Sequence, residues 1–198
     1  MKLSHLNRLP PRWRARALRT GFNLHPAFRS TGGRVVSVSH DLLHIRVRLA
    51  LTRQTRNIVG SIFGGSLFAV TDGVHAAMLM ARLGRDAIVW DKAAEIRYRK
   101  PAFHTLYADF VLTETELQDI RDELDQRHEA ERTYQVDLKD ADGTVHTEVR
   151  RTLYLADKTY YKQHKLRTGA EDVLFNPGTV SVSFKGKALG ETQAPHNH

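Results

Sequence analysis

Residues 64–83 constrain this chain more than any other stretch. Their apolar side chains (Leu67, Phe68, Val70, Val74, Met78, Leu79) go nearly all round a helical path. A helix without a polar face has to be wrapped, by a sheet or by a neighbouring subunit. Gly84 supplies a C-terminal stop. Gly64-Gly65 opens the stretch, and a glycine pair lets backbone approach a ligand without side-chain obstruction. The unpaired N–H groups of a first helical turn can polarise a carbonyl oxygen or hold an anion. Asp72 falls inside the same stretch, and a carboxylate is costly to bury unless it is paired or hydrogen-bonded. It follows Gly64 by eight residues, about 12 Å along an ideal helix at ~1.5 Å per residue. Asp72 is therefore not expected to serve its own glycine turn. Two subunits packed helix against helix would bring each Asp72 to the other's turn, giving a site shared across a dimer interface.

The flanking sequence reads as strands. Residues 34–39 and 43–51 alternate as a hairpin about Asp41, and residues 87–100 form a long strand closed by Pro101. Residues 105–112 continue the pattern. Thr113-Glu-Thr-Glu116 is a capping box opening a helix with one apolar stripe, Leu117, Ile120 and Leu124. Residues 132–139 and 144–155 flank Asp142-Gly143, a strong hairpin signal. Pro10-Pro11 starts a short helix, expected to end near Gly21 and to turn Trp13, Ala17, Leu18 and Phe22 to one side. Residues 23–33 read as an irregular link. The sum is an α+β arrangement, an antiparallel sheet of about six strands around one long helix, preceded by an N-terminal helix. Residues 1–30 form a basic arm and helix, 31–157 the domain, and 158–198 an extension. In that extension residues 180–184 carry a short strand pattern, and the last ten or so residues read as disordered.

Composition narrows the function. The chain has 198 residues, 41% of them hydrophobic, enough for one domain with a real core. No apolar run approaches the roughly 18 residues of a membrane-spanning helix. Cysteine is absent, which excludes disulfides and thiolate metal sites and fits a cytoplasmic location. Of the 11 histidines only His40 and His44 fall at His-x-x-x-His spacing, across the turn read about Asp41 and not along a helix, and none at His-Glu-x-x-His, so no metal and no cofactor are expected. Residues 1–40 hold eight basic side chains and no acid, while the other basic residues equal the 22 acids in number. The net charge of +8 therefore sits in the N-terminal arm. That arm can contact an anionic membrane surface or attract a phosphorylated ligand. Nucleic acid is disfavoured, because no aromatic interleaving or known module accompanies the charge.

Asn57, Gly60, Gly64-Gly65 and Asp72, in that order and spacing, resemble the hotdog-fold acyl-CoA thioesterases. The likeness is greatest to the phenylacetyl-CoA thioesterase-like group and to a related hotdog family of unassigned function. It continues through residues 88–101 and covers roughly residues 12–157. The resemblance implies a hotdog fold whose subunits pair edge to edge, as a homodimer or a tetramer of paired dimers, and an acyl-CoA substrate. It implies Asp72 as nucleophile or as base for water, the Gly65 N–H as the donor polarising the thioester carbonyl, and Asn57 as an orienting amide. Gly64 and Phe63 would line the substrate. Phe63 stands where many relatives carry His, and Ala76 where a hydroxyl residue is common, with His75 as a substitute for that hydroxyl. Arg97 and Lys100 would meet coenzyme A phosphates. Phe63 and Ala76 also suit a rival expectation, a non-catalytic acyl-CoA or lipid-binding hotdog protein.

Overall fold

In a computed structural model, residues 9–84 and 86–164 are described. Residues 180–184 and the C-terminal end lie outside them. Twelve elements follow in order: α1 (Pro11–Leu24), α2 (Pro26–Ser30), β1 (Gly33–Val38), β2 (His44–Leu49), α3 (Gly64–Ala69), α4 (Val74–Leu83), β3 (Ala87–Tyr98), β4 (Leu106–Val111), α5 (Glu114–Arg127), β5 (Glu129–Lys139), β6 (Val145–Asp157) and α6 (Lys158–His164). The strands form one six-stranded sheet of order β1-β2-β4-β5-β6-β3, antiparallel at every pairing. The expected α+β architecture is met.

Local chemistry explains most of the boundaries. The Thr113 side chain accepts the Glu116 N–H and starts α5, whose Leu117 and Ile120 are buried. The β5–β6 turn is held by Asp140 Oδ1, which accepts the N–H groups of Asp142 at 3.0 Å and Thr144 at 2.8 Å. Gly143 there has φ +84, a conformation in which a side chain would be strained.

Three expectations need correcting. The first helix runs past Gly21 to Leu24 and stops because Pro26 forces His25 into extended backbone (φ −65, ψ 122). It buries Ala15 and Leu18, while Trp13 is 61% exposed instead of facing inward. The segment read as an irregular link contains α2, a single turn and a half set off by Pro26. The central helix is not continuous: α3 ends at Ala69, and α4 begins only at Val74. Gly73 between them is left-handed at φ +69, and the Thr71 and Asp72 N–H groups reach back three residues instead of four, to the Phe68 and Ala69 carbonyls.

The two sheet edges differ. Asn23 from α1 covers β1, donating to the Val35 carbonyl and accepting the Val35 N–H, both at 2.9 Å. At the other end, among the described residues no strand pairs with the outer edge of β3, whose 12 residues are mostly exposed.

Candidate active site

The break between α3 and α4 is built around one residue that sequence patterning passed over. Arg151 lies on the inner face of β6, in step with buried Val149, Leu153 and Leu155, and is itself 6% exposed. Its Nε donates to Thr71 Oγ1 at 3.0 Å and its Nη2 to the Phe68 carbonyl at 3.1 Å. Nη1 reaches Asp72 Oδ1 at 3.3 Å and lies 3.7 Å from Asp91 Oδ1. The guanidinium also sits 4.7 Å from the centroid of the Phe68 ring. Arginine suits this position because its planar fork serves several acceptors at once and stacks on an aromatic face. Bonded to the Phe68 carbonyl, it places positive charge at the C-terminal end of α3, where the backbone dipole favours it.

Asp72 is thus not an acid buried within a helix. It occupies the turn between α3 and α4, with its side chain 63% exposed. The 12 Å axial separation from the glycine turn presupposed a continuous helix and does not carry over. Asp91, on β3, is the second carboxylate on Arg151 and also hydrogen bonds with Asp72. A bulge in the β3–β6 pairing follows it, between Asp91 and Ala93. Bulges of this kind re-aim side chains and are over-represented beside active sites.

Burial, followed by the hydrogen bond to Asp72, raises the Asp91 carboxyl to about 6 against the opposing pull of Arg151. Across roughly pH 4–6 the folded protein therefore holds a proton that the unfolded chain has released, and this group's contribution to stability is lost as pH rises through that window. Asp91→Asn is expected to be more stable than the wild type by about 1–2 kcal/mol at pH 8, with the gain vanishing below pH 4. Urea denaturation at the two pH values measures it, and an equal difference at both would contradict the assignment.

The glycine turn is shaped by its neighbours. Phe63, 57% exposed, precedes α3 and folds over Gly65: a Cβ there would lie 2.3 Å from the Phe63 ring. A Cβ on Gly64 would meet the Tyr98 hydroxyl at 3.0 Å, and that hydroxyl donates to the Gly64 carbonyl at 3.2 Å. The Gly64, Gly65 and Ser66 N–H groups head α3 and lack intrahelical partners by geometry.

The other expected site residues are dispersed. Asn57 ties its own loop, its Oδ1 accepting the Val59 and Ser61 N–H groups and its Nδ2 donating to Ser61 Oγ. His75 turns into the core, 5% exposed, stacked on Tyr134 at 4.1 Å and edge-on to Phe110. Burial lowers its imidazole to about 4, so it is neutral at ordinary pH. Arg97 lines a small polar cleft with Glu95, Gln135, Glu148 and Arg150, where the two carboxylates balance the two arginines. Lys100 is exposed in the connection after β3, and Arg99 beside it pairs with Glu148 at 2.8 Å. Ala76 is buried within α4.

Beside the helix break lies a cavity of about 570 Å³. Leu18, Phe22 and Phe28 from α1 and α2, and Ala69, Ala77 and Met80 from the central helices, give it an apolar lining. Asp72 and Gly73 are part of that lining. The N-terminal helices therefore form one wall of the cavity.

This combination of sheet and central helices is the hotdog fold. A probable thioesterase of unknown function from Pseudomonas aeruginosa shares it with a TM-score of 0.64 at 21% identity, over 72% of this chain and 95% of that one. A thioesterase from Haemophilus influenzae gives 0.55 at 13% identity, over 73% and 91%. The E. coli PaaI protein, from the phenylacetic acid degradation operon, gives 0.51 at 17% identity, over 73% and 92%. The chain belongs to the family described as a domain of unknown function, DUF4442, whose sequence profile matches residues 14–155. No curated protein matches it.

Proposed function

We propose that this protein hydrolyses an acyl-CoA thioester, with Asp72 as the reacting carboxylate. The carrying observation is the apolar cavity of about 570 Å³ that Asp72 helps to line. Ligand pockets are mostly apolar with a few placed polar groups, and a thioester carrying a hydrocarbon chain has that character. Asp72 is oriented by Arg151 yet open to solvent, as a nucleophile or a base for water must be. The N–H groups heading α3 supply donors for the carbonyl oxygen. The thioesterases among the structural relatives favour the same reading.

The site is completed in a homodimer formed through the β3 edge. An uncovered long edge strand is a template for pairing with another chain, and Trp90 and Tyr98 stand exposed along it, while Asn23 covers the opposite edge. In that dimer Asp72 of one subunit works with the Gly65 turn of the other. Mixing Asp72→Asn subunits with Gly65→Val subunits, each inactive alone, should then restore part of the activity. Failure to regain any activity in verified heterodimers would place both residues in one subunit's site.

A second reading, a non-catalytic acyl-CoA or lipid-binding protein, has one observation in its favour. Asn57 is occupied by its loop and His75 by the core, which leaves Asp72 without two expected helpers. Release of free thiol from acyl-CoA separates the readings: turnover supports hydrolysis, and a retained acyl ligand without turnover supports the binding module. No helix among the described residues is long and apolar enough to cross a membrane.

A further inference from the structure

Away from the helix break, three side chains converge where the β3–β4 connection meets the β5–β6 turn. His146 Nε2 lies 3.1 Å from Asp140 Oδ2, and His104 Nε2 lies 3.3 Å from the same oxygen. The candidate ligand atoms of the three residues all fall within 4.8 Å of one another. We propose that His104, Asp140 and His146 form a binding site for a divalent first-row transition ion of the zinc class.

The geometry suits such an ion. Bonds of ~2.0–2.2 Å place neighbouring ligand atoms roughly 3.3–3.5 Å apart in a tetrahedral shell, close to both nitrogen–oxygen separations. Imidazole with carboxylate is a donor set that zinc, nickel and copper favour. The ligands are also oriented as metal ligands usually are. His146 Nδ1 lies 3.2 Å from the Pro101 carbonyl, an acceptor only, so Nδ1 donates there and Nε2 is the ring atom left facing Asp140. Asp140 Oδ1 is occupied by the Asp142 and Thr144 N–H groups, which turns Oδ2 toward the histidines. His146 is 5% exposed, so this ligand is held from within the fold. His104 is the exposed member, its side chain 54% accessible, so a fourth position faces solvent.

The position gives the ion a structural consequence. It would tie the turn at Asp140 to the segment carrying Pro101 and His104. Ala102, between those two, accepts the Ile62 N–H at 2.8 Å, immediately before Phe63 and the glycine turn. The clip therefore braces the segment that supports the start of α3, and its existence is independent of the reaction proposed above.

Untagged full-length protein, stripped with chelator, should take up one zinc per chain in equilibrium dialysis, and cobalt should give the visible absorption of a low-coordinate nitrogen–oxygen site. His104→Ala, at an exposed position whose loss leaves the fold intact, should weaken zinc binding at least tenfold. His196→Ala/His198→Ala, removing the C-terminal histidines, should leave it unchanged. Equal affinity in wild type and His104→Ala, or no zinc retained at tens of micromolar, would overturn the site. Loss of binding in the C-terminal variant would overturn it too.

Discussion

Asp72→Asn is expected to lower kcat/KM for thioester hydrolysis by about a thousandfold, within the 10²–10⁴ range typical of a positioned acid or base. Asparagine keeps the size of the side chain and an oxygen that can accept from Arg151 Nη1, now 3.3 Å from Asp72. It can neither attack a carbonyl as a carboxylate nor take a proton from water. The side chain is 63% exposed, so the fold does not depend on it and Tm should move by no more than a degree or two. Thiol release read beside Tm and molecular mass tests this. Near wild-type turnover in the variant would remove Asp72 from the chemistry whatever the protein's substrate.

The second large effect belongs to Arg151→Met. The guanidinium is buried and satisfies the Phe68 carbonyl and the Thr71 hydroxyl where the helix breaks, and it is the cation facing both Asp72 and Asp91. Methionine keeps much of the volume but leaves those acceptors and two neighbouring carboxylates without their partner. Leaving a buried acceptor unsatisfied typically costs about 1–3 kcal/mol, and with two of them the loss of roughly 3–5 kcal/mol lowers Tm by roughly 10 °C for a chain of this size. Activity should fall as well, because the turn that presents Asp72 loses its anchor. A Tm within two degrees of wild type would mean that the turn is held by Gly73 and the local backbone bonds alone.

Much of this architecture was legible because strands announce themselves by alternation and turns by composition. Residues around Asp142-Gly143 read as a hairpin, and β5 and β6 are one. Thr113 read as a cap, and its hydroxyl accepts the Glu116 N–H at 3.1 Å. The helix break was missed for a physical reason. Apolar side chains on both sides of residues 71–73 outweighed a Thr-Asp-Gly sequence that is itself a turn signature. Arg151 had a readable signal too, an arginine in phase with Val149, Leu153 and Leu155 on a strand's buried face. Such a residue is costly unless something across the core needs its charge, and here that is the end of α3 with two carboxylates. The histidine cluster could not be read from spacing, since His104 and Asp140 are 36 residues apart and only the sheet brings their turns together. The cavity beside Asp72 was hidden for the same reason: one wall comes from α1 and α2, a segment that read as an arm and a link.

The central claim, that Asp72 and the cavity beside it serve thioester hydrolysis, is tested most directly by free-thiol release from short, long and aromatic acyl-CoAs with the wild-type protein. Hydrolysis of at least one class, increasing with apolar acyl surface, is the predicted result. No thiol release from any of them, with an acyl-CoA still bound after the incubation, would contradict it.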